Sequence, residues 1–145
     1  MATVELTNDD SRIVVNGTTN TVAEYNEKLS IRINNGSRRG YIYLVYIQAD
    51  GTAVSIPTGF EEEPADPRTS VTYGTGSTAI TVEPPYGYES AVLIISKKQI
   101  RSLSHIYSSD DRTFLSHLRS ILYSSDRNDI SLSAAYIETV SSRKK

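Results

Sequence analysis

The chain has 145 residues, 38% of them hydrophobic and 22% charged, which fits a single domain over 1–145 and excludes a disordered polyelectrolyte. Fifteen Lys and Arg against seventeen Asp and Glu leave a formal net charge of -2, which argues against a nucleic-acid module. No Cys is present, so disulfides, thiolate zinc sites and cysteine nucleophiles are excluded within this chain.

The opening residues Met1 to Leu6 lack the basic and apolar regions of a signal peptide. No apolar run approaches the roughly 20 residues of a membrane span. The expectation is a cytoplasmic chain with no membrane insertion. Arg12 to Val15 reads as a short strand. Leu29, Ile31 and Ile33 alternate with polar residues, the period of a half-buried strand. Asn35 to Gly40, with an Asn-Gly step, is a tight connection. Tyr41 to Gln48 is apolar on both faces and reads as a central strand. Ala49-Asp50-Gly51 turns it into a hairpin with Thr52 to Ile56, because Asp-Gly tolerates positive φ.

Pro57 to Thr69 reads as the longest loop, acidic at Glu61, Glu62, Glu63 and Asp66. Val71 to Tyr73 and Thr78 to Val82 read as short strands, joined as a hairpin at Gly74 and Gly76. Pro84 to Tyr88 is irregular. Ala91 to Ile95, within Glu89 to Ser96, is the second run apolar on both faces. Ile100, Leu103 and Ile106 have weak helical spacing. From Asp110 to Tyr123, Phe114, Leu118, Ile121 and Leu122 form a helical stripe, with Ser109 or Asp110 as cap. Ile130, Leu132, Ala134 and Tyr136 alternate as a last strand. Roughly seven or eight short strands without crossover helices predict a mainly β fold, an antiparallel β-sandwich of immunoglobulin-like or related type with one or two short helices near the C-terminus.

From about Tyr25 to Ser96 the motif order resembles domain of unknown function 4384. The residues that carry it are Gly40-Tyr41-Ile42-Tyr43-Leu44, Asp50-Gly51, Ile56-Pro57, Pro84-Pro85-Tyr86-Gly87-Tyr88-Glu89 and Val92 to Ser96. The tail, with Phe114 to Arg119 before a closing strand, is similar to caspase-linked members. The acidic loop Phe60 to Pro67 and Thr58-Gly59 depart from that pattern. The resemblance implies a bacterial module appended to caspase-like peptidases and sometimes to protein kinases. It therefore implies a noncatalytic accessory or protein–protein interaction module, with a protein partner and no cofactor.

Candidate chemistry is sparse. His105 and His117 each follow a serine, but neighbouring residues do not face each other, so neither pair is a triad, and no nucleophile elbow exists. A serine hydrolase is the weakest alternative. Glu61, Glu62, Glu63 and Asp66 lack the ligand spacing of a calcium loop and read as a solvated run. Gly74-Thr75-Gly76 lacks the Lys-Ser or Lys-Thr of a phosphate loop. Asn16-Gly17-Thr18 and Asn35-Gly36-Ser37 match glycosylation acceptors but read as turns. Ten tyrosines stand out. Tyr41, Tyr43 and Tyr46 read as core or rim residues with hydroxyls at the surface. Tyr86 and Tyr88, in a Pro/Gly loop, are the expected partner-binding anchors, with Glu61, Glu62 and Glu63 steering a basic partner from a neighbouring loop. The same aromatics would serve a carbohydrate- or envelope-binding sandwich, the alternative from another class.

Overall fold

The computed structural model describes residues 10–74, 80–108 and 110–142. The chain is mainly β with one α-helix. Its strands are β1 (Arg12–Val15), β2 (Asn20–Glu24), β3 (Lys28–Leu29), β4 (Ile31–Asn34), β5 (Tyr41–Ile47), β6 (Ala53–Ile56), β7 (Ser70–Tyr73), β8 (Ile80–Thr81), β9 (Gly87–Ser96), β10 (Tyr107–Ser108) and β11 (Ile130–Val140). The helix α1 covers Asp111–Ser124. Six strands form one sheet in the order β10-β6-β5-β9-β11-β2; β1-β4-β7 form a second, and β3-β8 a third. Every pair is antiparallel except β11 with β2, which is parallel. The six-stranded sheet is therefore mixed, against the antiparallel expectation. No helix of the described residues is long and apolar enough to cross a membrane.

The alternation within β5 and β9 divides the interior into two layers. Ile42, Leu44 and Tyr46 of β5 join Ala91, Leu93 and Ile95 of β9, Ala135 and Ile137 of β11, and Ile13, Val15, Ile31 and Ile33 of β1 and β4. Tyr43, Val45 and Ile47 point the other way and join Ile94, Ala53 and Ile130 with Leu103, Phe114 and Leu118. One face of the large sheet thus packs against the smaller strands and the other against α1. This is why both central strands lack a polar face.

The β5–β6 hairpin forms as expected. The Gln48 N–H donates to Thr52 O at 2.8 Å, and Gly51 takes φ 90°. Asp110 caps α1 through a bond from the Arg112 N–H at 2.9 Å; Ser109, the other candidate, lies outside the described residues. Three expectations are corrected. The strands β7 and β8 do not form a hairpin, because β7 pairs with β4 and β8 with β3. Gly74 starts this sheet-to-sheet passage at φ 89°, where a Cβ would lie 2.2 Å from the Leu29 carbonyl oxygen; residues 75–79, with Gly76, lie outside the described residues. The segment from Ile100 to Ile106 winds only into a 3-10 turn at Arg101–Leu103, with Leu103 as its buried anchor. Finally, the Tyr43 hydroxyl does not reach the surface but accepts the Ile100 N–H at 2.7 Å.

Phe114 is 2% exposed. Phe114→Ala should destabilise by about 3–5 kcal/mol. Val45→Asp or Ile94→Asp, each placing a charge in the same layer, should cost several kcal/mol, on the order of an unpaired buried charge. Chemical denaturation measures both, and wild-type midpoints would contradict the two-layer burial. Asp110 is held below its ordinary value of 3.8 by the Arg112 side chain and then the Arg112 N–H. Its contribution is therefore present above that value and is lost as pH falls through the lowered one. Asp110→Ala should lower stability near neutral pH and progressively less in acid.

Candidate functional site

The layer built with α1 does not extend over its whole side of the sheet. At one end of β11, Ile130 is buried and Leu132 is packed into the helix-side layer. Further along the same face the side chains come out. Tyr136 stands opposite Ser90 of β9 and Asn20 of β2, and Glu138 stands opposite Tyr88 and Val22. Tyr88 is 79% exposed, Tyr136 57% and Val22 44%. Three large side chains from three adjacent strands therefore share one exposed face with Glu138 among them. That carboxylate is half-buried, and among the described residues no hydrogen bond or ion pair engages it.

The backbone under this face is held in place. The Gly87 N–H donates to Thr139 Oγ1 at 3.0 Å, and that hydroxyl donates to Gly87 O at 3.2 Å, fastening the start of β9 to β11. The free edge of β2 is closed by its own neighbours. Thr18 Oγ1 accepts the Asn20 N–H and donates to Asn20 O, both at 3.2 Å. Glu27 accepts the Glu24 N–H at 3.1 Å through Oε1, and its own N–H donates to Glu24 O at 3.0 Å. A partner strand finds little unpaired backbone there, so this region offers a face and not an edge.

Of the residues singled out from sequence, Tyr88 lies on this face. Tyr86 is half-buried and packs against the first core layer. The loop Pro57–Thr69 is not its neighbour. Phe60 O accepts the Ile42 N–H at 3.0 Å, and Ala65 pairs with Gly40, so this loop is tied to the start of β5. Tyr88 belongs near the opposite end of that strand, beyond the Ile47–Ser90 pairing. Glu61 is half-buried and accepts the Thr58 and Gly59 N–H groups at 2.8 and 3.1 Å. Its carboxylate closes a turn. Glu62 and Glu63 are exposed, and Asp66 pairs with Arg39. The carboxylates of this loop thus serve separate purposes. Tyr136, Val22 and Glu138 were not identified from sequence. Their juxtaposition rests on the parallel β2–β11 pairing, which no local pattern announces.

A cleft of about 280 Å³ lies behind the Pro84–Pro85 wall, with Leu29, Ile80 and Val82 as its apolar side. Tyr46 donates its hydroxyl to Glu89 Oε1, and Glu89 Oε2 accepts the Ala49 N–H at 3.1 Å. Burial, then the Glu89 hydrogen bond and charge, push the Tyr46 phenol far above its ordinary value of 10.0. Burial likewise pushes Tyr73 up to about 12, while its hydroxyl donates to Thr58 O at 2.9 Å.

His117 and Ser102 meet across the helix surface, Nε2 to Oγ at 2.7 Å. Among the described residues no carboxylate bonds to the other ring nitrogen, so the pair lacks the orienting third group of a triad. No three His, Asp or Glu side chains of the described residues are grouped to hold a metal ion. No protein-family model, no curated protein and no solved structure matches the chain.

A phenol whose pKa is raised on folding stabilises the fold fully below its unfolded value, near 10.0, and loses that contribution as pH rises. Phenolate absorbance should therefore show Tyr46 and Tyr73 un-ionised until alkaline unfolding exposes them. Tyr46→Phe should cost about 1–3 kcal/mol at neutral pH, because Glu89 loses its hydroxyl donor, and should flatten the alkaline fall in stability. Ionisation of every tyrosine in the folded protein at ordinary values would contradict the burial of these two.

Proposed function

We propose that this chain is a noncatalytic β-sandwich module of immunoglobulin-related type that binds a protein partner through the face carrying Tyr88, Tyr136, Val22 and Glu138. The resemblance to domain of unknown function 4384 makes it an accessory part of a bacterial multidomain system, associated with a caspase-like peptidase. The observation that carries the reading is the exposure of two tyrosines and a valine on adjacent strands around a carboxylate unpaired among the described residues. Exposed aromatics on a fixed backbone lose little entropy on contact, and they are the residue types that anchor protein interfaces. Glu138 selects a partner that brings a Lys or Arg to the centre of an apolar contact.

A carbohydrate ligand is the second reading, favoured by one feature: Asn20, an amide, stands beside Tyr136 on this face. A photocrosslinking residue at position 88 of the intact protein in its own cell distinguishes the two, with position 123 as control because Tyr123 is 85% exposed on the helix. Protein adducts from position 88, absent from 123 and abolished by Glu138→Lys, are expected. Glycan adducts would replace the first reading by the second. Equal adducts from both positions would reject this face as a site.

A further inference from the structure

At the opposite end of β9 from Tyr88, a second cleft of about 350 Å³ opens between the Asn35–Gly40 turn, the start of β5 and the turn before β11. Its lining carries Arg38, Arg39 and Lys97 against one carboxylate, Asp129, with the half-buried Tyr41 and Pro64 as an apolar wall. On a chain of net charge -2, this is a local excess of positive charge.

Arg38 is held in an unusual way. One terminal nitrogen, Nη1, donates to the Asn128 carbonyl at 2.7 Å. Its Nε is buried with no hydrogen-bond partner, and it is the one buried side-chain polar atom so placed among the described residues. Buried donors are almost always paired, so an orphan of this kind calls for an acceptor beyond those that the described residues supply. The edge of the guanidinium formed by Nε and Nη2 is the fork that matches two oxygens of one oxyanion. Among the described residues Arg39 is engaged only by Asp66, in a pair exposed on both sides, and is readily turned to another anion. Lys97 is exposed, and its backbone N–H is fixed by Asp129 O at 2.8 Å, which holds the base of its side chain at the rim.

We propose that this cleft binds a phosphate monoester, with Arg38, Arg39 and Lys97 on the phosphate and the organic group against Tyr41 and Pro64. Arg38, Arg39 and Lys97 face Asp129 in the lining and Asp66 on Arg39, a net of one positive charge, and three cationic donors suit the three terminal oxygens of a phosphate better than the two of a carboxylate. Turning the Nε edge of Arg38 outward gives the buried donor its acceptor. The site lies apart from the Tyr88 face, and neither requires the other.

The test titrates phenyl phosphate, inorganic phosphate and benzoate into the full chain and follows backbone amide shifts by NMR. Phenyl phosphate should shift Gly40, Tyr41, Lys97 and Asn128 in a saturable way, at least tenfold more tightly than benzoate. Inorganic phosphate should shift the same amides more weakly, because it leaves the apolar wall empty. Arg38→Gln and, separately, Lys97→Gln should each weaken phenyl phosphate by tenfold or more, with folding checked by their amide spectra. If Arg38→Gln unfolds, Lys97→Gln carries the test. Absence of saturable shifts, shifts spread over all basic residues, benzoate binding as tightly as phenyl phosphate, or unchanged affinity in a folded variant would each overturn the proposal.

Discussion

The antiparallel pairing of β5 with β9 is the constraint on which the other elements depend. From Tyr41 against Ser96 to Ile47 against Ser90 the two strands run side by side, and both are apolar on both faces. Such a pair cannot stand as the wall of a one-layer fold, because either face left in water would expose several branched side chains at roughly 1.5–3 kcal/mol each. The sheet must be covered twice. The smaller strands cover one face and α1 the other, and the placement of β1, β4, Leu103 and Phe114 follows from that need.

Coverage on the helix side ends before the sheet does. The exposed face around Tyr88 and Tyr136 lies where β9 and β11 continue past the residues that pack with α1. The tyrosines divide accordingly. Tyr43, Tyr46 and Tyr73 lie under cover, and each finds a fixed partner for its hydroxyl in Ile100, Glu89 or Thr58. Tyr88 and Tyr136 belong to the same sheet as Tyr43 and Tyr46 but lie beyond the cover. One residue type thus serves as core where the layers close and as surface anchor where they stop. The edge of β2, closed by Thr18 and Glu27, directs any contact in this region to the face.

Local pattern made much of the fold legible. The two-faced runs of β5 and β9, the Asp50-Gly51 hairpin and the stripe of Phe114 and Leu118 are encoded within short stretches of chain, where period and turn chemistry act directly. Long-range pairing is not encoded that way. Tyr136 lies opposite Asn20 through a parallel contact, and neither stretch carries a mark of the other. The passage from β7 to β8 looked like a hairpin because glycines signal a turn without saying which sheet the next strand joins. The candidate site was half legible for the same reason. Tyr88 could be found from its loop, whereas Tyr136, Val22 and Glu138 become its neighbours only through the sheet. Glu61 misled because a charge in an acidic run reads as solvated until its turn partners, Thr58 and Gly59, are seen.

The central claim is that one sheet is covered on both faces at one end and on a single face at the other. Paramagnetic relaxation by a neutral, soluble gadolinium complex tests it most directly, because broadening falls off steeply with distance from solvent. Side-chain signals of Tyr88, Tyr136 and Val22 should broaden strongly, while those of Val45, Ile94 and Ile130 on the same face should stay sharp. Uniform broadening along that face would show that α1 does not cover it, and protection of Tyr88 and Tyr136 would show that no open face exists.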